Sequence, residues 1–171
     1  MSFLSPSFTG TLEIRSATPA FFEALKARVQ LGLLTGKPHP RARYAVTKHT
    51  ERELAIRASD FLTAINVGLN DVVLQSAADR QLDYSVGYSR WAAYVVGLSA
   101  VIGAAVALAH LGFKLGGGSH LDADQTDSIF WALVLFWGGV WPWILVAMHR
   151  RFARGLLVRI LREVDVAARS R

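Results

Sequence analysis

The chain of 171 residues contains no cysteine. That single absence excludes a disulfide framework, a thiolate metal site and a thiol nucleophile. Histidine is sparse: His39, His49, His110, His120 and His149 are the five, and none falls in an HxH or HExxH spacing. A phosphate cradle is missing too, because Gly116-Gly117-Gly118 has no GK[ST] sequel and reads as a flexible turn. The opening MSFLSPSF has neither a basic start nor a long apolar core, so it does not read as a signal peptide.

Charge is absent altogether from two stretches. Trp91–Phe113 (WAAYVVGLSAVIGAAVALAHLGF) and Ser128–Met148 (SIFWALVLFWGGVWPWILVAM) carry no Asp, Glu, Lys or Arg. As helices rising about 1.5 Å per residue, each is long enough to cross a hydrocarbon core of about 30 Å. Tyr88, Trp91 and Tyr94 mark the start of the first stretch. Phe130, Trp131, Trp141 and Trp143 mark the ends of the second, as interfacial aromatic belts do.

The formal charge of +6 is distributed around these spans rather than evenly. Residues 1–90 carry 11 Lys+Arg against 8 Asp+Glu, and residues 149–171 carry 7 Arg against Glu163 and Asp165. Between the spans, Lys114 faces Asp122, Asp124 and Asp127. Basic residues that flank apolar segments and avoid the loop between them follow the positive-inside rule, and nucleic-acid binding predicts no such avoidance. The expected topology is a multi-pass protein of the cell inner (plasma) membrane with both termini cytoplasmic. Residues 90–149 form its transmembrane hairpin: spans at 91–113 and 128–148, joined by an outer loop at 114–127.

Within the first span, Ser99, Gly103 and Ala107 recur every four residues and share a face. Small residues so spaced let a second backbone approach closely. Gly138 and Gly139 offer a matching groove on the second span, and a second copy of the chain, as a homodimer, would fit the same stripe. Pro142 lacks an amide hydrogen and crowds the carbonyl of Gly138, which predicts a bend there.

Residues 1–89 read as a cytoplasmic α+β domain, an antiparallel sheet with one helix on a face. Phe8, Gly10, Leu12 and Ile14 alternate as in a strand. Thr18-Pro19 starts a helix that puts Phe22, Leu25, Val29 and Leu33 on one side and ends at Gly36. Lys37-Pro38-His39-Pro40 is a loop. Residues 44–48 and 54–58 form a hairpin, and residues 72–75 and 82–88 pair around the turn SAADR. For residues 59–69 two patterns fit: a helix capped by Ser59 with Phe61 and Ile65 inward, or a strand. The order of strand, helix after Ala17-Thr18-Pro19, and meander over residues 8–88 resembles the opening of the helix-grip, START-like lipid-binding domains. That resemblance implies an apolar cavity between sheet and helix. No diagnostic motif accompanies it, and that fold's long soluble C-terminal helix is missing before the membrane segments begin.

Residues 150–171 read as a cytoplasmic basic amphipathic helix, with Phe152, Leu156, Ile160, Leu161 and Val164 in one stripe. Arg151, Arg154, Arg159 and Arg162 lie around the rest. Such a helix can rest on anionic lipid at the inner leaflet, or pack its stripe on the N-terminal domain.

Candidate chemistry is thin. His120, Asp122, Asp124 and Asp127 are oxygen-rich, but the Ca²⁺-loop spacing, central Gly and distal Glu are missing, so no metal is expected. Asp60, Asn66, Asn70 and Asp71 cluster as paired carboxylates can, though such residues at element ends are ordinary caps and turns. His110 near the end of a span is a functional suspect by position. No catalytic, cofactor or nucleic-acid site is expected. The favoured class is a non-enzymatic integral membrane protein whose cytoplasmic domain binds a protein partner or organises a membrane complex. The alternative is a membrane-anchored binder of lipid or another hydrophobic ligand, and an enzyme working from Asp60–Asp71 is the third.

Overall fold

The computed structural model describes residues 6–15, 17–31, 43–115 and 123–168. They fall into two compact units: Met1–Trp91 together with His149–Arg171, and Ala92–Met148. The expected loop at 37–40, the helix stop at Gly36, and Gly116–Gly118, His120 and Asp122 lie outside the described residues.

The first unit is built on five antiparallel strands: β1 (Ser7–Glu13), β2 (Tyr44–His49), β3 (Glu53–Ala58), β4 (Asp71–Ala78) and β5 (Gln81–Gly87). Their spatial order is β1-β5-β4-β3-β2. The first strand therefore closes against the last, from Ser7 opposite Gly87 to Glu13 opposite Gln81. Side chains alternate across a strand, so one face of the sheet collects the apolar residues. Phe8, Leu12, Leu54, Ile56, Val72, Leu74, Leu82, Tyr84 and Val86 are buried there, while Thr9, Thr11, Gln75, Asp83 and Ser85 are exposed on the other face. Gly10 stands opposite Tyr84, and a Cβ at Gly10 would collide with the Tyr84 hydroxyl. Only glycine leaves that ring its place.

Helix α1 (Pro19–Gln30) follows Thr18 at the N-cap position, although the Thr18 hydroxyl makes no capping bond. Its buried residues Phe21, Phe22, Leu25 and Val29 meet β2 and β3. The 59–69 ambiguity resolves as a short helix, α2 (Phe61–Val67). Its cap is Asp60, whose carboxylate accepts from the Thr63 amide at 2.7 Å, rather than Ser59. Moving the cap by one residue turns the helix by about 100°. Thr63, Ala64 and Val67 therefore face inward, and Phe61, expected inside, is 58% exposed.

The C-terminal segment belongs to this unit. Helix α5 (Trp141–Ala167) continues past His149, and there its buried residues are Ala153, Leu157, Ile160, Leu161 and Val164. The expected stripe shared the last three but placed Phe152 and Leu156 where Ala153 and Leu157 lie. Phe152 is 67% exposed. Both stripes satisfy helical spacing, and the narrower one with alanine at its start lets the helix approach closely. The segment joins α1 through Arg28 and Glu163 at 2.6 Å, and joins β5 through the Arg154 Nε donating to the Tyr84 hydroxyl at 3.1 Å. Of the two resting places that the tail's composition allows, it takes the one on the domain.

The second unit holds helix α3 (Ser89–Leu115) from Ala92 onward, helix α4 (Ala123–Leu135), a π-helical turn (Phe136–Val140) and the start of α5. Helix α3 ends at Leu115 and α4 begins at Ala123. Both helical runs are long and apolar enough to cross a membrane, and only 17% and 11% of their most apolar windows are buried. The core helix of a soluble protein would be largely covered. Just before Pro142, the site of the expected bend, the helix widens into a π-turn in which the Trp141 amide donates to the Phe136 carbonyl. Widening the ladder by one residue relieves the crowding that a proline imposes on the preceding turn.

Leu157→Ala should lower the stability of the full chain in detergent by about 2–5 kcal/mol, as for other leucines emptied from a filled core. Phe152→Ala should change it by no more than about 0.5 kcal/mol. Denaturant unfolding reads both, and equal effects would mean that the tail is not seated by this stripe.

Candidate functional site

The densest polar construction in the first unit surrounds Asn70, which is fully buried. Its backbone amide donates to the Gly87 carbonyl at 2.9 Å, and its carbonyl accepts from Ala58 at 2.8 Å. Its side-chain amide donates to the Ala64 carbonyl at 2.9 Å. Its side-chain oxygen accepts from the amides of Arg90 at 2.8 Å and Trp91 at 3.2 Å. The first amides of any helix lack partners inside it, and here Asn70 supplies one from twenty residues away. Arg90 adds a bond from its guanidinium to the Ala58 carbonyl at 3.1 Å.

Beside this hub sits His149, the residue where the chain returns to the unit. Its ring stacks on Trp91 with centroids 3.8 Å apart and leans on Tyr88 at 5.4 Å. Its Nε2 lies 3.3 Å from the Gly68 carbonyl. Gly68 closes α2 with φ +71°, and a Cβ there would strike the imidazole. A side chain at Gly68 is thus excluded twice, by conformation and by space. Burial holds the His149 pKa below its ordinary value, against a smaller upward pull from the Gly68 carbonyl. The unfolded chain takes up that proton more readily than the folded one. The seat therefore weakens as pH falls below the usual histidine range and is undisturbed above it.

At the far end of the tail, Arg162 and Asp165 face the ends of β1 and β5 across an open cleft of about 1180 Å³. Arg15, Arg80, Gln81 and Glu13 complete its polar wall, and Ile14 and Val166 add apolar surface. The Arg15 amide donates to Asp165 at 3.4 Å. Three arginines against two carboxylates leave the cleft weakly positive.

The carboxylates singled out by sequence are committed elsewhere. Asp60 accepts from both the amide and the hydroxyl of Thr63, and those bonds, led by the amide, hold its pKa low. Asp71 pairs with Arg57 at 2.5 Å. Asn70 is the hub, and Asn66 is exposed. The four are neighbours in sequence but do not converge on one point of chemistry.

In the second unit, Gly103 of α3 lies against the π-turn. A Cβ built on Gly103 would stand 3.1 Å from the Gly138 Cα and 3.7 Å from the Val134 carbonyl oxygen. Ser99 is buried, and its carbonyl oxygen lies 4.0 Å from a Cβ built on Gly138. Ala107 is half-buried, and Gly139 has open space where its Cβ would be. Farther along the pair, His110 is buried and stacks on Phe130 with centroids 4.2 Å apart. Its Nε2 lies 3.0 Å from Asp127, which also pairs with Lys114. Of the oxygen-rich loop only the Asp127 side chain is described, and it bridges two helix ends.

Arg151, Arg154, Arg159 and Arg162 are all exposed. Arg154 reaches Tyr84 and Arg162 reaches the cleft. The Asn70 hub and the His149 seat escaped sequence reading. Gly68, two residues before a buried Asn, was their one local trace, and glycine in that position is too common to point at a contact eighty residues distant. No protein-family model, curated protein or solved structure matches this chain.

Gly138→Leu and Gly103→Leu should each cost on the order of 1 kcal/mol or more in stability of the helical pair. Gly139→Leu and Val101→Leu should be tolerated. Steric trapping or thermal unfolding in micelles reads the difference, and four equal variants would mean that the glycine contact is not a packing face.

Proposed function

We propose that this chain is a non-enzymatic integral membrane protein of the inner membrane, whose cytoplasmic domain holds a protein partner or organises a complex there. The observation that carries this reading is the filled core. The space between sheet and helices, where a lipid carrier needs a cavity, is occupied by Phe21, Phe22, Leu25, Leu157, Ile160 and Leu161, each at most 1% exposed. What stays open is the cleft bordered by Arg15, Arg80 and Arg162, which suits an acidic segment of a partner. Arg151, next to the second span, stands where anionic headgroups would meet it. Arg162 lies about 16 Å farther along the helix, at the cleft.

One observation favours the lipid-binding alternative. The strand order β1-β5-β4-β3-β2, with a long C-terminal helix on the apolar face, supplies the element that the helix-grip resemblance lacked in the sequence before the spans. A filled core weighs against it.

Purification of the full chain from membranes, with mass spectrometry of bound proteins and lipids, separates the two. A stoichiometric protein partner in the native chain, lost when Arg15, Arg80 and Arg162 are changed to Glu, is the expected outcome. A stoichiometric lipid or other apolar ligand with no protein partner would overturn it in favour of the alternative.

A further inference from the structure

Phe61 and Leu62 open helix α2, and both are 58% exposed. On a helix of seven residues, two large apolar side chains stay more than half exposed within the chain. The helix is held firmly in that orientation. Asp60 caps it, Thr63, Ala64 and Val67 are buried beneath it, and Gly68 closes it against His149. Its position in the unit is equally defined. The Ala64 carbonyl shares the Asn70 side chain with the amides of Arg90 and Trp91. The chain leaves the unit after Trp91 and returns at His149. The return point thus meets the C-cap of α2 at Gly68, and the exit point is tied to α2 through Asn70; the helix itself is only about 10 Å long.

Three arginines stand near this patch, together with Asp60, whose carboxylate caps the helix. The Arg43 amide donates to the Thr63 hydroxyl, and its guanidinium acts on Asp60. Arg90 is anchored on the Ala58 carbonyl, and the charge of Arg150 acts on Tyr88. An apolar tip with arginines near it, in the part of the unit where the chain leaves for the apolar helices, matches an interfacial anchor facing anionic lipid.

We propose that α2 is a lipid-interface foot, with Phe61 and Leu62 seated at the boundary between headgroups and acyl chains of the membrane that the helices cross. The proposal rests on the membrane-spanning reading above and adds a third point of lipid contact. It assigns that contact to α2, whereas the apolar stripe of the tail faces the sheet.

The absence of cysteine makes the test direct. Leu62→Cys, carrying an environment-sensitive fluorophore, is placed in the full chain in vesicles of mixed neutral and anionic phospholipid. Leu108→Cys in the first span and Ser85→Cys on the polar sheet face serve as references, and Phe61→Cys serves if Leu62→Cys fails to fold. Lipids with a nitroxide near the headgroup should quench most of the Leu62 emission. Lipids with the nitroxide near the chain end should quench little of it, and Ser85 should be indifferent to both. Quenching at Leu108 without quenching at Leu62 would overturn the foot and leave the membrane reading intact. No quenching at Leu108 would overturn the membrane reading and the foot with it. Blue-shifted but unquenched emission at Leu62 would mean that protein, not lipid, covers the patch, and would also overturn the foot.

Discussion

A helix that leaves a folded domain begins with amide hydrogens that nothing inside the helix can satisfy. In this chain the problem arises at Arg90 and Trp91, and the oxygen of Asn70 answers it. The same side chain ties down the Ala64 carbonyl, and the same backbone joins Ala58 to Gly87. Four elements are thus referred to one residue: β3, α2, β5 and α3. Losing the side chain would leave several buried polar groups unpaired at once, each costing about 1–3 kcal/mol. The His149 seat is built on this frame, because Gly68 and Trp91 are positioned by the bonds on either side of Asn70.

That frame explains how a small domain tolerates an interruption of fifty-seven residues, Ala92–Met148. The sheet is complete before the first apolar helix, since β1 pairs with β5 rather than with its sequence neighbour. Helix α1 meets β2 and β3, and residues 153–164, which come after the second apolar helix, add Ala153, Leu157, Ile160, Leu161 and Val164 to the buried core. Stacking of His149 on Trp91 keeps the exit and the return together, so the loop closed by the insertion is short in space although long in sequence. The arginines outside the tail's stripe are left to the surface and to the cleft.

Much of the architecture was legible because it is periodic. Alternation in residues 8–14 and 82–88 announced strands, and absence of charge announced the two apolar helices. Legibility failed where two registers satisfied the same period. A cap at Ser59 or Asp60, and a stripe starting at Phe152 or Ala153, differ by one residue and by about 100° around a helix. Only tertiary packing chooses between them, and it turned Phe61 and Phe152 outward. The Asn70 hub was illegible for another reason. Its partners lie up to twenty-one residues away, and nothing local distinguishes a tertiary cap from an ordinary turn residue. The cleft joins residues 15, 80 and 162, a conjunction that no window along the chain contains.

With Leu157, Ile160 and Leu161 in its core, the N-terminal sheet should unfold together with the tail as one body. Hydrogen–deuterium exchange on the full chain in a lipid or detergent environment tests it most directly. Amides of residues 153–164 should exchange as slowly as those of α1 and β5, and all three should lose protection together in mild denaturant. Tail amides that exchange like a free peptide while α1 and β5 stay protected would contradict it.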